Sequence, residues 1–303
     1  DAERLCQIAA NSEKVLRTIP SFFNIQITSD CQSGCIYCPY GQKKMFSEKT
    51  KSIMGLDQFT ALLSDINSFA PEAVLCLSAL GDPLYHPQFV EFVRAILSYP
   101  GFSVFIETTG EKITQEMGEE LSQITNNCAP RTNGQEKMYW VISLDAETEN
   151  MYQKLHPCAK NYSLTQAKEK VLLLMKYFPE TVYPQFLRIK QNEVELEAFY
   201  RFWKAVGKGE LIIQKYNSYC GLLSNEKVVD LEPVKRNPCW HLRRDMTILV
   251  DGTVPVCFCN ETKIGNVFSE HIEDVWKKGE SWFKNHNKLE SCKACDEYYT
   301  FNF

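Results

Sequence analysis

The chain has 303 residues, 44% hydrophobic and 23% charged, an ordinary globular balance with length for a sizeable core. A formal net charge of -5 argues against a nucleic-acid or anionic-membrane partner, and no apolar run is long enough to span a bilayer. Thirteen cysteines, an odd number at metal-like spacings in a long chain, argue against a secreted disulfide framework and for a reducing, cytoplasmic setting.

Residues 2–17 read as a helix, with Leu5, Ile8, Ala9, Val15 and Leu16 as its apolar positions and Pro20 ending it, so that 1–20 form an N-terminal helix. The chain opens at Asp1 rather than Met, as a piece cut from a longer protein would, and carries no signal peptide. Residues 22–28 are β-branched and apolar and read as a strand. A helix over 56–69 puts Phe59, Leu62, Leu63 and Ile66 on one face. The run 73–80 is almost wholly apolar, as expected of a strand covered on both sides in a parallel sheet. Then come a helix over 87–99, a strand over 102–108, a helix near 114–124, a polar loop over 125–137 and a strand over 138–144. A helix over 163–178, a strand over 185–190, a helix over 193–206 and a strand over 211–215 complete the series. Strands alternating with helices imply parallel βαβ units.

Beyond 216 the pattern changes. Residues 216–238 read as a linker. The runs 246–250 and 253–257 flank Asp251-Gly252, a turn signal that predicts a hairpin between them. A last helix is expected over 272–286, with Val275, Trp276 and Trp282 as packing residues. The division that follows is 21–216 and 217–303.

Two cysteine sets carry chemistry. Cys31, Cys35 and Cys38 form a C-x3-C-x2-C run after the first strand. Three thiolates there can hold three corners of an iron–sulfur cube and leave one iron open. A zinc knuckle or half of a disulfide framework are the alternatives, but zinc usually takes four ligands, as two C-x2-C-like pairs. Cys239, Cys257, Cys292 and Cys295 form a C-x17-C…C-x2-C set, which by itself fits a structural zinc equally well. Cys259 reads as a buried small hydrophobe, and Cys6, Cys76, Cys128, Cys158 and Cys220 as core or surface fillers. No H-E-x-x-H set, Gly-rich phosphate loop or G-x-S-x-G elbow is present.

The C-x3-C-x2-C run, with Tyr37 before its last cysteine, resembles the signature of radical S-adenosylmethionine (SAM) enzymes. That resemblance implies an α/β core built as an open six-stranded partial TIM barrel, a (β/α)6 unit with its chemistry at the C-terminal ends of the strands. It also implies a 4Fe-4S cluster whose open iron is chelated by SAM. One electron then splits SAM to methionine and a 5′-deoxyadenosyl radical, which abstracts a substrate hydrogen atom; the cofactor does the hard chemistry. An external electron donor such as flavodoxin or ferredoxin is implied. Gly81, Asp82 and Pro83 match the family's G-E-P position, where backbone and carboxylate meet the SAM ammonium. On that footing Asp82→Ala should weaken SAM binding without changing stability. Tyr37 matches the residue whose backbone lies near adenine. Glu107, Thr108, Ser143 and Asp145 match positions that bind ribose hydroxyls or the methionine carboxylate. Arg188, inside its strand, would meet that carboxylate or form a structural salt bridge. His86 reads as a helix-start residue.

The C-terminal set resembles the twitch or SPASM extension of these enzymes, in which Cys239, Cys257, Cys292 and Cys295 would hold an auxiliary 4Fe-4S cluster. The single-cluster twitch form fits better, because the internal C-x2-C-x5-C-x3-C run of the full SPASM form is absent. The spacing is similar to that of the aminoglycoside-biosynthesis dehydrogenases. The expected substrate is a peptide side chain or a small alcohol or amino sugar.

Overall fold

The computed structural model describes residues 19–42, 52–131, 133–206, 210–229, 239 and 241–296. The expected helix over 2–17 lies outside them, as does part of the expected linker. The strands are β1 (Phe22–Ile25), β2 (Ala73–Cys76), β3 (Phe102–Thr108), β4 (Met138–Ser143), β5 (Val182–Arg188), β6 (Ile212–Lys215) and β7 (Asp245–Ile248). They form one sheet in the order β6-β5-β4-β3-β2-β1-β7, parallel at every pairing and open at both edges. The helices between them are α1 (Leu56–Phe69), α2 (Phe89–Leu97), α3 (Gln115–Asn126), α4 (Glu149–Leu155), α5 (Leu164–Tyr177) and α6 (Leu196–Val206).

Side chains at paired positions share a face of the sheet. Phe23, Ile25, Leu75, Val104, Ile106, Trp140, Ile142 and Phe186 are fully buried, and they build the core with Phe59, Phe92, Leu121, Val171 and Phe199 of the helices. The opposite, concave face carries Asn24, Cys76, Glu107, Ser143 and Gln185, by the pairings Asn24↔Cys76, Cys76↔Phe105 and Ser143↔Gln185. Phe22, Phe105 and Val141 share that face, so it mixes polar and apolar side chains. Helix starts follow their sequence signals. Ser163 accepts from the Gln166 N–H while the Gln166 side chain returns to the Ser163 N–H, and Thr114 caps α3 through the Met117 N–H.

Three features depart from the sequence reading. The expected hairpin between 246–250 and 253–257 does not form. The Asp251-Gly252 turn is present, with Gly252 at φ 81, but β7 runs parallel to β1 at the edge of the main sheet. β8 (Thr253–Cys257) pairs instead with β9 (Asn260–Asn266), antiparallel. β5 begins three residues early and contains Pro184, and α4 occupies a stretch left without an element. After β9 come α8 (Ile272–Asn285) and α9 (Glu290–Lys293); α7 (His241–Arg244) precedes β7. Among the described residues no helix is long and apolar enough to cross a membrane.

Candidate active site

The cysteine loop leaves the C-terminal end of β1, the end at which the loops after β2, β3, β4 and β5 also meet. It is pinned from below: the Ile36 N–H donates to the Leu155 carbonyl at 3.0 Å, and the Cys158 N–H to the Ser33 carbonyl at 3.1 Å. Gly34 sits at φ +60, and a Cβ there would lie 2.5 Å from Cys158 Sγ, so only glycine fits. The three thiols share one pocket: Cys35 feels the charge of both Cys31 and Cys38. Burial pushes Cys31 up to about 12, with Asp82 adding to it, and lifts Cys35 and Cys38 above the ordinary thiol range. Thiolates here need a positive partner, which a metal centre supplies. Among the described residues no three His, Cys, Asp or Glu side chains close tightly enough around one point to grip a single ion. Cluster corners, each on its own iron, stand farther apart than the four ligands of one zinc.

A polar network lies behind Cys35. His156 Nδ1 is 3.3 Å from Cys35 Sγ and His156 Nε2 is 3.7 Å from Asp145 Oδ2. The Tyr37 hydroxyl donates to Asp145 Oδ2. Asp145 is fully buried at φ 61 and accepts the Leu187 N–H at 2.6 Å; burial raises its carboxyl to about 7. Asn192, also fully buried, donates to the Asp145 and Leu187 carbonyls and accepts the Ile189 N–H. Sequence reasoning missed His156 and Asn192, since neither lies in a motif. Asp145, expected at a position that binds ribose hydroxyls or the methionine carboxylate, braces the cluster loop together with the Tyr37 phenol.

The turn after β2 is built around Gly81, whose Cβ would meet the Thr28 carbonyl at 2.2 Å, bringing this turn against the segment that leads into the cysteines. Pro83 opens a short 3-10 turn, Pro83–Tyr85. Asp82 is buried, and its carboxylate accepts from the Thr108 hydroxyl, the Thr109 N–H and hydroxyl, and the Leu84 N–H. The expectation that Asp82→Ala leaves stability unchanged is therefore corrected: the carboxylate is buried and ties two strand ends together. Thr108 is its partner. Ser143 accepts from Gln185 Nε2 at 3.3 Å on the concave face. Glu107, beside Cys76, is raised by burial, and its side chain has no hydrogen bond or ion pair among the described residues. Arg188 is the last residue of β5, about one-third exposed, and its guanidinium forks onto Glu193 at 2.6 and 2.5 Å. Of the two roles expected for it, the structural salt bridge is the one formed.

At the C-terminal site, Cys239 faces Cys292 and Cys295, and Cys257 faces Cys239 and Cys295. Cys239 is held by its N–H to His286 Nε2 at 3.2 Å, and burial pushes its thiol up to about 12. The β8–β9 hairpin is tied to α9 through Asn260 Nδ2 and Ser291 Oγ at 2.7 Å. Cys220, read as a filler from sequence, belongs to this group: it hydrogen-bonds Cys259 and Cys295.

Comparison with known proteins covers both regions of the chain. A family model for the radical SAM superfamily matches residues 25–202, and one for an iron–sulfur cluster-binding domain, SPASM, matches 239–296. An uncharacterized protein of Treponema pallidum (strain Nichols) is 35% identical over 314 residues, covering 100% of this chain and 85% of its own. Among solved structures, BtrN in complex with AdoMet and 2-DOIA is 18% identical with a TM-score of 0.57, covering 92% of this chain and 93% of BtrN. Streptococcus suis SuiB bound to precursor peptide SuiA is 12% identical with a TM-score of 0.66, covering 96% of this chain and 73% of SuiB. At these identities the two structures speak for the fold alone. The chain belongs to the radical SAM superfamily and carries a SPASM-type iron–sulfur cluster-binding domain at residues 239–296.

Proposed function

We propose that the protein cleaves SAM reductively and uses the radical so formed to oxidise or otherwise modify a peptide or a polar small molecule, as an oxidoreductase or maturase. The family's cofactors are a 4Fe-4S cluster with SAM in the first domain and auxiliary iron–sulfur chemistry in the second. The observation that carries the reading is the three-thiol pocket of Cys31, Cys35 and Cys38 at the C-terminal mouth of an open parallel barrel with polar side chains on its concave face. The donor set fits a cluster with one open iron: three thiols on one loop, with His156 Nδ1 3.3 Å from Cys35 Sγ. Bound there, the cluster supplies the electron that splits SAM into methionine and a 5′-deoxyadenosyl radical.

The rest falls to this chain's own residues. Cys31, Cys35 and Cys38 hold the cluster. The backbone of Gly81, Asp82 and Pro83 faces the SAM amine, with the Asp82 carboxylate fixing that turn against Thr108. Tyr37 presents its backbone to the adenine, and its phenol anchors the loop through Asp145. Glu107, a half-buried carboxylate without a side-chain partner among the described residues, is left to meet a cation or hydroxyl of SAM or substrate, with Ser143 next to it on β4. Arg188 orients the loop after β5 through Glu193. Cys239, Cys257, Cys292 and Cys295 hold the auxiliary 4Fe-4S cluster, which carries electrons rather than substrate because its corners are all taken. The polar lining of Asn24, Glu107, Ser143 and Gln185 favours a hydrogen-bonding substrate. The precursor peptide in SuiB and the 2-DOIA in BtrN are the two kinds of molecule a fold like this is seen to hold. Electrons come from an external donor such as flavodoxin or ferredoxin.

The test is anaerobic reconstitution with SAM and dithionite, reading 5′-deoxyadenosine. The protein should form it, and the combined Cys31→Ala, Cys35→Ala and Cys38→Ala variant should form none. Iron-loaded protein that leaves SAM intact, or a triple variant as active as the parent, would sink the reading.

A further inference from the structure

The C-terminal site gathers more thiols than the four corners of one cube can use. Cys220 is the surplus that stands among them: it hydrogen-bonds Cys295, and Cys257 and Cys292 lie close enough to feel its charge. Cys259, buried beside Cys220, accepts from Asn217 Nδ2 at 3.8 Å.

The segment that carries Cys220 is fastened to the segment that carries Cys295. The Ser218 N–H donates to Asp296 Oδ2 at 2.5 Å, Lys215 Nζ to the Asp296 carbonyl at 2.9 Å, and Lys227 Nζ pairs with Asp296 Oδ1 at 2.7 Å. The residue after the last cysteine of the C-x2-C pair thus receives three bonds from residues 215–227. Tyr219 packs its ring edge-on to Phe258, between Cys257 and Cys259. Tyr219, Cys220 and Gly221 take φ of 51, 59 and 84, three successive left-handed residues of which two carry side chains. Such a backbone persists only where its surroundings hold it, and the Asp296 contacts are what hold it.

We propose that Cys220 is a fifth iron-binding thiol of the auxiliary site, placed to take the cluster corner otherwise held by Cys295. The inference rests on the reading of that site as a 4Fe-4S centre. The exchange is balanced without redox change: the iron–sulfur bond to Cys295 breaks, one to Cys220 forms, and the Cys220 thiol proton passes to the released thiolate. The site therefore keeps four thiols on its cluster when Cys295 is lost.

The experiment reads iron content and the electron paramagnetic resonance (EPR) signal of the dithionite-reduced protein. Its background is Cys31→Ala, Cys35→Ala and Cys38→Ala, so that only the auxiliary site is seen. Three variants are added to that parent: Cys295→Ala, Cys220→Ala, and the two together. The parent and each single variant should keep about four irons per chain and the parent's signal, and the double variant, left with three thiols, should show a changed signal or fewer irons. Circular dichroism shows whether the double variant folds. If it does not, the isosteric Cys220→Ser, Cys295→Ser pair takes its place. Loss of the cluster from Cys295→Ala alone overturns the proposal, since Cys220 then cannot replace Cys295. A double variant that keeps both the parent's iron and the parent's signal overturns it too, since another group then fills the corner. A parent without iron removes the auxiliary-cluster reading itself, and this inference with it.

Discussion

Asp82 shows how one buried carboxylate can hold a site together. It ties the turn after β2 to Thr108 and Thr109 at the end of β3, and removing it leaves four buried donors without their acceptor. Orphaned buried donors cost about 1–3 kcal/mol. Asp82→Ala should therefore lower the denaturant midpoint by that order, as well as weaken SAM binding; an unchanged midpoint would return Asp82 to the role of a free loop residue. His86 makes a second prediction. It is buried, its Nε2 lies 3.0 Å from the Met54 carbonyl, and its Nδ1 accepts the Gln88 N–H at 3.1 Å. The bond from Gln88 needs an unprotonated Nδ1, while Nε2–H donates to Met54 in either state; burial lowers the pKa below the ordinary 6.5. A histidine lowered on folding gives stability that is fully present above the unfolded pKa and is lost as pH falls below about 6.5. The melting temperature should fall from pH 7.5 to 5.5 by less in His86→Gln than in the natural chain. Equal falls would show that His86 takes no part in the acid response.

At the scale of elements, the sequence carried what is local. The helix over 56–69 and the strand over 102–108 appear with those bounds, because amphipathic spacing, caps and apolar runs act over a few residues. What it did not carry is pairing between distant segments. Met246 and Ile248 alternate as a hairpin strand would. Their partner is β1, more than two hundred residues earlier, and Gln26 Oε1 accepts the Val250 N–H across the same gap. The candidate site divides along the same line. The cysteine spacings were legible because cluster ligands must recur at short, fixed intervals. His156, Asn192 and Cys220 reach their sites only through folding. Since β7 covers the open edge of β1, Ile248, fully buried, should behave as a core residue of the barrel. Ile248→Ala should cost about 2–4 kcal/mol in urea unfolding; a cost below about 1 kcal/mol would mean that β7 contributes little to the sheet.

At the scale of the whole molecule, the two thiol sites lie on separate structures, one on the loop after β1 and one on the β8–β9 hairpin with α9. They differ in one physical respect, three thiols against a full complement, so SAM should find an open iron at one and none at the other. Cys257→Ala should reduce iron from about eight to about four per chain while 5′-deoxyadenosine formation under dithionite persists. Loss of that formation with the barrel cluster intact would show the sites to be coupled. The most direct test is the EPR spectrum of reduced, anaerobic Cys257→Ala protein with and without SAM. The account predicts one cluster signal, from Cys31, Cys35 and Cys38, that shifts when SAM is added. A signal that SAM leaves unchanged would contradict it, because the remaining cluster would then have no open iron.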